Sequence, residues 1–215
     1  MTVKMINMTY MTLMFVLCLI PIIFLFDEEL YLLIIREDGV IEYLTASFLL
    51  FASIKLFFLF FKIYKKYSVF NFGLLSYSLV LFFGFGEEIS WGQRIFGIQS
   101  PSFFSENNFQ GEINIHNMMV MGVDLNRWIF TYVLVLIFTF YFLITPIMYY
   151  KNKFPKTIVN RFSFLIPNYL YSSIFLITTL IINLNLAEKV SEVWECSFAV
   201  TIFFICFNSL NKKGN

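Results

Sequence analysis

The chain has 215 residues, of which 59% are hydrophobic and only 13% are charged. Soluble domains carry roughly 25% charged residues, so this chain has too few to face water on all sides, and lipid must surround much of it. The formal net charge is +1 and the sequence contains no basic tract, which argues against nucleic acid as a partner and favours membrane lipid.

Six apolar stretches follow one another along the chain, each about the 20 residues that a helix needs to cross hydrocarbon. Because water is absent there, each stretch should be helical so that its backbone groups pair internally. The stretches lie near residues 9–26, 40–61, 68–86, 127–149, 163–183 and 189–209. With no long linker and no repeat, the sequence predicts an all-α, polytopic transmembrane bundle of about six helices, forming one integral membrane domain over residues 1–215.

Lys and Arg residues fall mainly on one side of this bundle. If the N-terminus is inside, the segments 1–8, 62–67, 150–162 and 210–215 are also inside, and they hold ten of the 15 Lys and Arg residues. That asymmetry follows the positive-inside rule for short loops. Both termini are therefore expected in the cytoplasm.

All fourteen acidic residues then fall toward the outer face. Span six opens with Glu188, Glu192 and Glu195, whose spacing places them on one helical stripe. Glu195 precedes Lys212 by 17 residues, or about 26 Å of helix, which predicts that it lies within the apolar layer. The helix dipole favours carboxylates in a first turn, so simple capping explains Glu188 equally well.

The densest polar stretch joins spans three and four and contains the string GEEISWGQR. If the helix of span three continues, Glu87, Trp91 and Arg94 share one stripe. The adjacent Glu87 and Glu88 lie toward a helix C-terminus, where the dipole disfavours negative charge. This pair needs Arg94, a metal or a shared proton, or else it marks a solvated helix end.

His116, the only histidine, stands between Asn114 and Asn117, where the sequence predicts the start of a helix. Ionisable groups at membrane depth are functional candidates by default. We therefore expect one polar, outward-facing pocket. It would be built by Glu42, Glu87, Glu88, Arg94, His116, Glu192 and Glu195.

Three classes of function fit this pattern, and the first is a hydrolase that acts on a lipid or a lipid-linked substrate. Arg94 would hold an anionic head group or a developing oxyanion, and carboxylates would move protons. The expected catalytic residues are Glu87, Glu88, Arg94 and His116. If a divalent metal is the cofactor, its expected ligands are Glu88, His116, Glu192 and Glu195.

The second class is an ion-coupled transporter with Glu88, Glu192 and Glu195 as proton or cation sites. Carriers usually bind near the bilayer midplane, whereas these carboxylates gather at one face. The third class is a non-enzymatic membrane subunit whose polar residues hold helices together or bind a partner. The sequence excludes neither, and it leaves the oligomeric state open.

Two resemblances arise from these strings. The GEEISWGQR string and the later QGEINIHN string resemble a family of small multipass bacterial membrane proteins without an established activity. This resemblance implies a bacterial cytoplasmic membrane as the location. The chain also resembles, more weakly, the CAAX-protease and bacteriocin-processing membrane proteases, which implies catalytic roles for Glu87, Glu88 and His116. In this sequence Arg94 follows Glu88 by six residues instead of four, and a second histidine is missing.

Overall fold

The computed structural model describes residues 2–153, 155–184 and 187–211. This part of the chain is largely helical, which confirms the all-α prediction. The α-helices are α1 (Val3–Ile23), α2 (Glu28–Ile35), α3 (Val40–Tyr67), α4 (Phe72–Glu88), α5 (Gln93–Phe96), α6 (Ser102–Asn107), α7 (Leu134–Thr139), α8 (Thr145–Tyr150), α9 (Lys156–Phe162), α10 (Tyr169–Ile182) and α11 (Val190–Asn211). Lys212 and Lys213, which contribute to the expected orientation, lie outside the described residues.

Three helical segments of other types and one hairpin accompany these α-helices in the described residues. A 3₁₀ turn at Ser90–Gly92 follows α4. Wide π-helical turns at Asn126–Val133 and Phe140–Ile144 flank α7, so that the chain from there to the end of α8 is continuously helical. The strands β1 (Met119–Val120) and β2 (Val123–Asp124) pair antiparallel.

Several helices of the described chain are long and apolar enough to cross a membrane. Three meet both criteria: Val3–Ile23, Glu28–Tyr67 and Val190–Asn208. A fourth is added if Phe72–Glu88 and Ser90–Phe96, which are bent by 66° relative to each other, count as one span. Two further apolar helices, Leu136–Tyr150 and Tyr169–Ile182, are shorter.

Side-chain caps fix where the helices around the bundle begin. Asn71 accepts a hydrogen bond from the Leu74 backbone N–H at 3.1 Å and so starts α4. Asn168 does the same for the Tyr171 N–H at 2.8 Å at the start of α10. Each cap satisfies a backbone donor that the first helical turn leaves unpaired.

Helix α11 is the centre of the helix packing. This helix contacts α1, α3 and α10, and α3 also packs along α4. Between α3 and α4, the Ser53 hydroxyl donates to the Ser78 carbonyl at 2.8 Å, and the Ser78 hydroxyl donates to the Ser53 carbonyl at 2.9 Å. Small residues permit this close approach, and each bond pairs a hydroxyl that lipid would leave unsatisfied.

A buried tyrosine pair ties α1 to α10 and α11. The Tyr10 hydroxyl lies 3.1 Å from the Thr201 hydroxyl, and the Tyr171 hydroxyl donates to Asn7 Oδ1 at 2.9 Å. The two rings meet edge to face with centroids 4.7 Å apart. This core joins the first and last helices of the described chain.

Glu87, Trp91 and Arg94 would share one stripe only if the span-three helix continued through Arg94, and it does not. The helix ends at Glu88, and Ser90 and Trp91 have positive φ values of 45° and 53°. The indole folds back over Gly86, where an added Cβ would lie 2.9 Å from the ring. Only glycine leaves room for this contact. Helical spacing along the sequence therefore does not predict where Trp91 and Arg94 lie.

Candidate active site

A cavity of about 750 Å³ lies at one end of the bundle. Its wall combines the N-terminal ends of α3 and α11, the C-terminal ends of α4 and α10, and the loop after α4. This volume falls within the range of small-molecule sites. Of the residues expected in the pocket, those that line the cavity are Glu42, Glu88, Arg94, His116, Glu192 and Glu195.

Arg94 lies among four carboxylates. Its Nη1 pairs with Glu112, and its Nη2 donates to Glu42 Oε1 at 2.8 Å. Its Nε lies 3.0 Å from Asp38 Oδ2, an ion pair without hydrogen-bond alignment, and Glu37 follows at 3.9 Å from Nη1. Since these groups already occupy the guanidinium, the geometry does not favour the anion-holding role expected for Arg94.

Glu112 is the site residue that the sequence reasoning did not select. Its side chain is buried and accepts hydrogen bonds from the Ser90 hydroxyl at 2.5 Å and from Asn114 Nδ2 at 3.0 Å. Together with Arg94, these bonds join the segment after α4 to the loop before the hairpin. The available signal was an acidic residue inside the second polar string.

Glu87 is held beneath the cavity and does not line it. Only 5% of the residue is exposed. Its carboxylate accepts hydrogen bonds from the Trp91 indole N–H at 2.9 Å, from the Ile115 N–H at 2.6 Å and from the His116 N–H at 3.1 Å. These donors offset the unfavourable dipole at the end of α4, so Glu87 positions the loop that carries His116.

His116 lies in the turn before the hairpin, so the prediction that it starts a helix is wrong. Its side chain is 29% exposed, and its Nδ1 lies 3.6 Å from Glu87 Oε2, an ion-pair distance beyond a direct hydrogen bond. Burial lowers the pKa of His116, but the contact with Glu87 and the charges of Glu195 and Glu192 outweigh it, so the pKa is raised. A raised pKa makes the neutral ring a stronger base.

Glu88, Glu192 and Glu195 are half-buried and face the cavity. None of the three makes a side-chain hydrogen bond or ion pair within the described residues. Every other carboxyl that lines the cavity is paired. The cavity therefore keeps three acidic groups available to a ligand.

All four expected metal ligands line the cavity: Glu88, His116, Glu192 and Glu195. In residues 2–153, 155–184 and 187–211, however, no group of three or more His, Cys, Asp or Glu side chains is arranged to hold a metal ion. The donors present therefore do not fit a metal centre in this arrangement.

Exposed apolar side chains near the end of α10 also line the cavity, and we call them its apolar wall. Leu180 and Leu184, near the end of α10, are 71% and 65% exposed. Trp194 lines the cavity beside them, and its indole N–H donates to the Thr179 hydroxyl at 3.1 Å. Sequence reasoning missed this wall because apolar residues within spans look alike.

The candidate site thus joins an ion-paired cluster around Arg94, a group of available ionisable side chains and an apolar wall. No family model, no curated protein and no solved structure matches this chain.

Proposed function

We propose that this chain is a multipass protein of the bacterial cytoplasmic membrane, with six spans, both termini in the cytoplasm and the cavity opening to the outside. The positive-inside distribution supports this orientation. The two shorter apolar helices supply the remaining spans, because π-helical turns extend the first of them back to Asn126. In this topology the carboxylates of the cavity belong to the outer face.

Cysteine labelling tests the orientation. Ser102→Cys, at the exposed start of α6, should react with a membrane-impermeant maleimide added to intact cells. Lys66→Cys lies near the C-terminal end of α3, far from the end that lines the cavity, and should react only after the membrane is permeabilised. The native Cys196 and Cys206 are buried and Cys18 is half-buried, so their background is low. The reverse labelling pattern would refute the proposed orientation.

Within this topology, we propose a hydrolase that acts on a lipid or a lipid-linked substrate. The observation that carries the proposal is the contrast within the cavity. Glu88, Glu192 and Glu195 face the same space as His116, and none of these three carboxyls has a hydrogen-bond or ion-pair partner among the described residues, although the neighbouring carboxyls are paired. Desolvated ionisable groups are costly to keep, and they concentrate where proton transfer is needed.

The proposed reaction uses the ionisable groups as an acid–base set. Neutral His116, oriented by Glu87, takes a proton from a water molecule as the water oxygen attacks the electrophilic carbon of the substrate. A cavity carboxyl that retains its proton gives it to the leaving atom as the bond to that atom breaks. One water is consumed and two products form, with no metal in any step. His116 then returns its proton to the carboxylate.

The apolar wall supports a lipid as the substrate. Leu180 and Leu184 line the cavity while most of their surface remains exposed, so acyl chains can reach the cavity from the outer leaflet. Polar groups at the end of α4 and in the His116 loop then meet the head group. This division matches an amphiphile that stays partly in the bilayer.

Lipid analysis of host membranes tests the activity. Cells that produce the wild-type chain should lose one lipid species and gain its hydrolysis product, as measured by mass spectrometry. Glu195→Gln and His116→Ala should abolish that change, whereas Glu106→Gln, an exposed control, should retain it. If Glu195→Gln and His116→Ala insert and also act like the wild type, the hydrolase proposal is refuted.

A further inference from the structure

The charge on the cavity wall is strongly unbalanced. Six carboxyl groups line it, of which the proposed reaction keeps one protonated, against the two cations Arg94 and Lys189 and the titrating His116. Arg94 is already paired with Glu112 and Glu42. Lys189 is exposed, so water screens its charge. An anionic head group would therefore meet net repulsion, and a cationic group would meet attraction.

An aromatic ring also lines the cavity, on the same helix as two of the unpartnered carboxyls. Trp194 is fixed by its hydrogen bond to Thr179 and by packing against Phe138 and Phe175, with ring centroids 5.7 Å and 6.2 Å away. In the sequence of α11 Trp194 falls between Glu192 and Glu195, and all three residues line the cavity. The face of a tryptophan ring attracts ammonium groups, and more so where water is excluded.

We propose that the cavity binds an amphiphile whose head group carries a protonated amine and no phosphate. The ammonium group lies against Trp194 with Glu192 and Glu195, and the hydrocarbon chain leaves past Leu180 and Leu184. This inference rests on the proposed function for its place in a reaction, but the binding itself does not require turnover. It assigns a substrate class that the unpaired carboxyls and the ring recognise together.

Binding to the purified full chain in dodecyl maltoside micelles tests the inference. The probes are dodecylamine, which is cationic at neutral pH, and dodecyl phosphate, which shares its chain but is anionic. Dodecylamine should bind saturably, and dodecyl phosphate should bind about tenfold more weakly or not at all. Equal binding of the two probes would overturn the proposal without requiring any variant.

Variants then locate the binding. E192Q/E195Q should weaken the binding of dodecylamine about tenfold or more, because two desolvated charges are removed. E28Q/E29Q, a matched pair of exposed residues in α2, should leave it unchanged. Unchanged binding in E192Q/E195Q would also overturn the proposal. Amine binding without lipid turnover in cells would refute only the hydrolase, and turnover without amine binding would refute only this inference.

Discussion

Removal of the Glu87 carboxylate should release the loop that carries His116. The carboxylate accepts two backbone N–H bonds, from Ile115 and His116, and one from the Trp91 indole. Hydrogen bonds to a charged group contribute about 1.5–3 kcal/mol each. The loss of one such bond alone makes local opening about 10- to 100-fold more frequent, since 1.4 kcal/mol corresponds to a factor of ten. Glu87→Ala, which removes all three bonds, should therefore accelerate amide hydrogen exchange by at least this factor in peptides that contain Ile115 and His116.

The graded variant and the control sharpen this experiment. Glu87→Gln retains one carbonyl oxygen but loses the charge, so its exchange should fall between that of the wild type and that of Glu87→Ala. Glu106→Gln removes an exposed carboxylate from α6 and should leave exchange unchanged. The positioning role is refuted if Glu87→Ala accelerates exchange no more than Glu106→Gln does.

Three further predictions concern the ion cluster, the histidine and the bend after α4. Arg94→Met should lower the free energy of unfolding by about 3–5 kcal/mol, because partly buried carboxylates lose their cation, and Arg94→Lys should cost less; equal denaturant midpoints for both variants would contradict this. His116 has a folded-state pKa raised above the unfolded value of about 6.5. Its stabilisation is therefore full below about pH 6.5 and is lost as pH rises through the folded pKa; an NMR titration of this single histidine that gives a value below 6.5 would refute the shift. Gly86→Ala should displace the Trp91 ring, changing its fluorescence and lowering the midpoint, whereas Gly84→Ala, whose Cβ meets its nearest side chain at 3.4 Å, should change neither. A tolerated Gly86→Ala would show that the ring contact is dispensable.

The sequence predicted the helices and the common end of the acidic residues because both depend on local features. Apolar length sets each helix, and helical rise predicts that Glu195 lies within the apolar layer. The structure brings Glu195 and Glu88, both expected in the pocket, to one cavity. Periodicity along a single helix is enough for this level of description.

The details of the site could not be predicted because they depend on contacts between distant residues. Arg94 pairs with Glu42, 52 positions earlier, and with Glu112, 18 positions later. The end of α4 depends on Trp91 folding back onto Gly86. One sequence does not reveal with which of several carboxylates an arginine pairs. A helical stripe that runs through Arg94 also requires a straight helix, and the chain bends before that residue.

The bend after α4 separates the two tasks of the polar segment. Residues up to Glu88 belong to α4, which is hydrogen-bonded to α3 through Ser53 and Ser78. Residues 97–107 lie in the segment between Arg94 and Glu112, and the ion pair of these two residues closes that segment. None of the residues 97–107 lines the cavity, so changes in the length of this stretch would leave the carboxyls of the helices in place. Insertions there would therefore cost the bundle little stability.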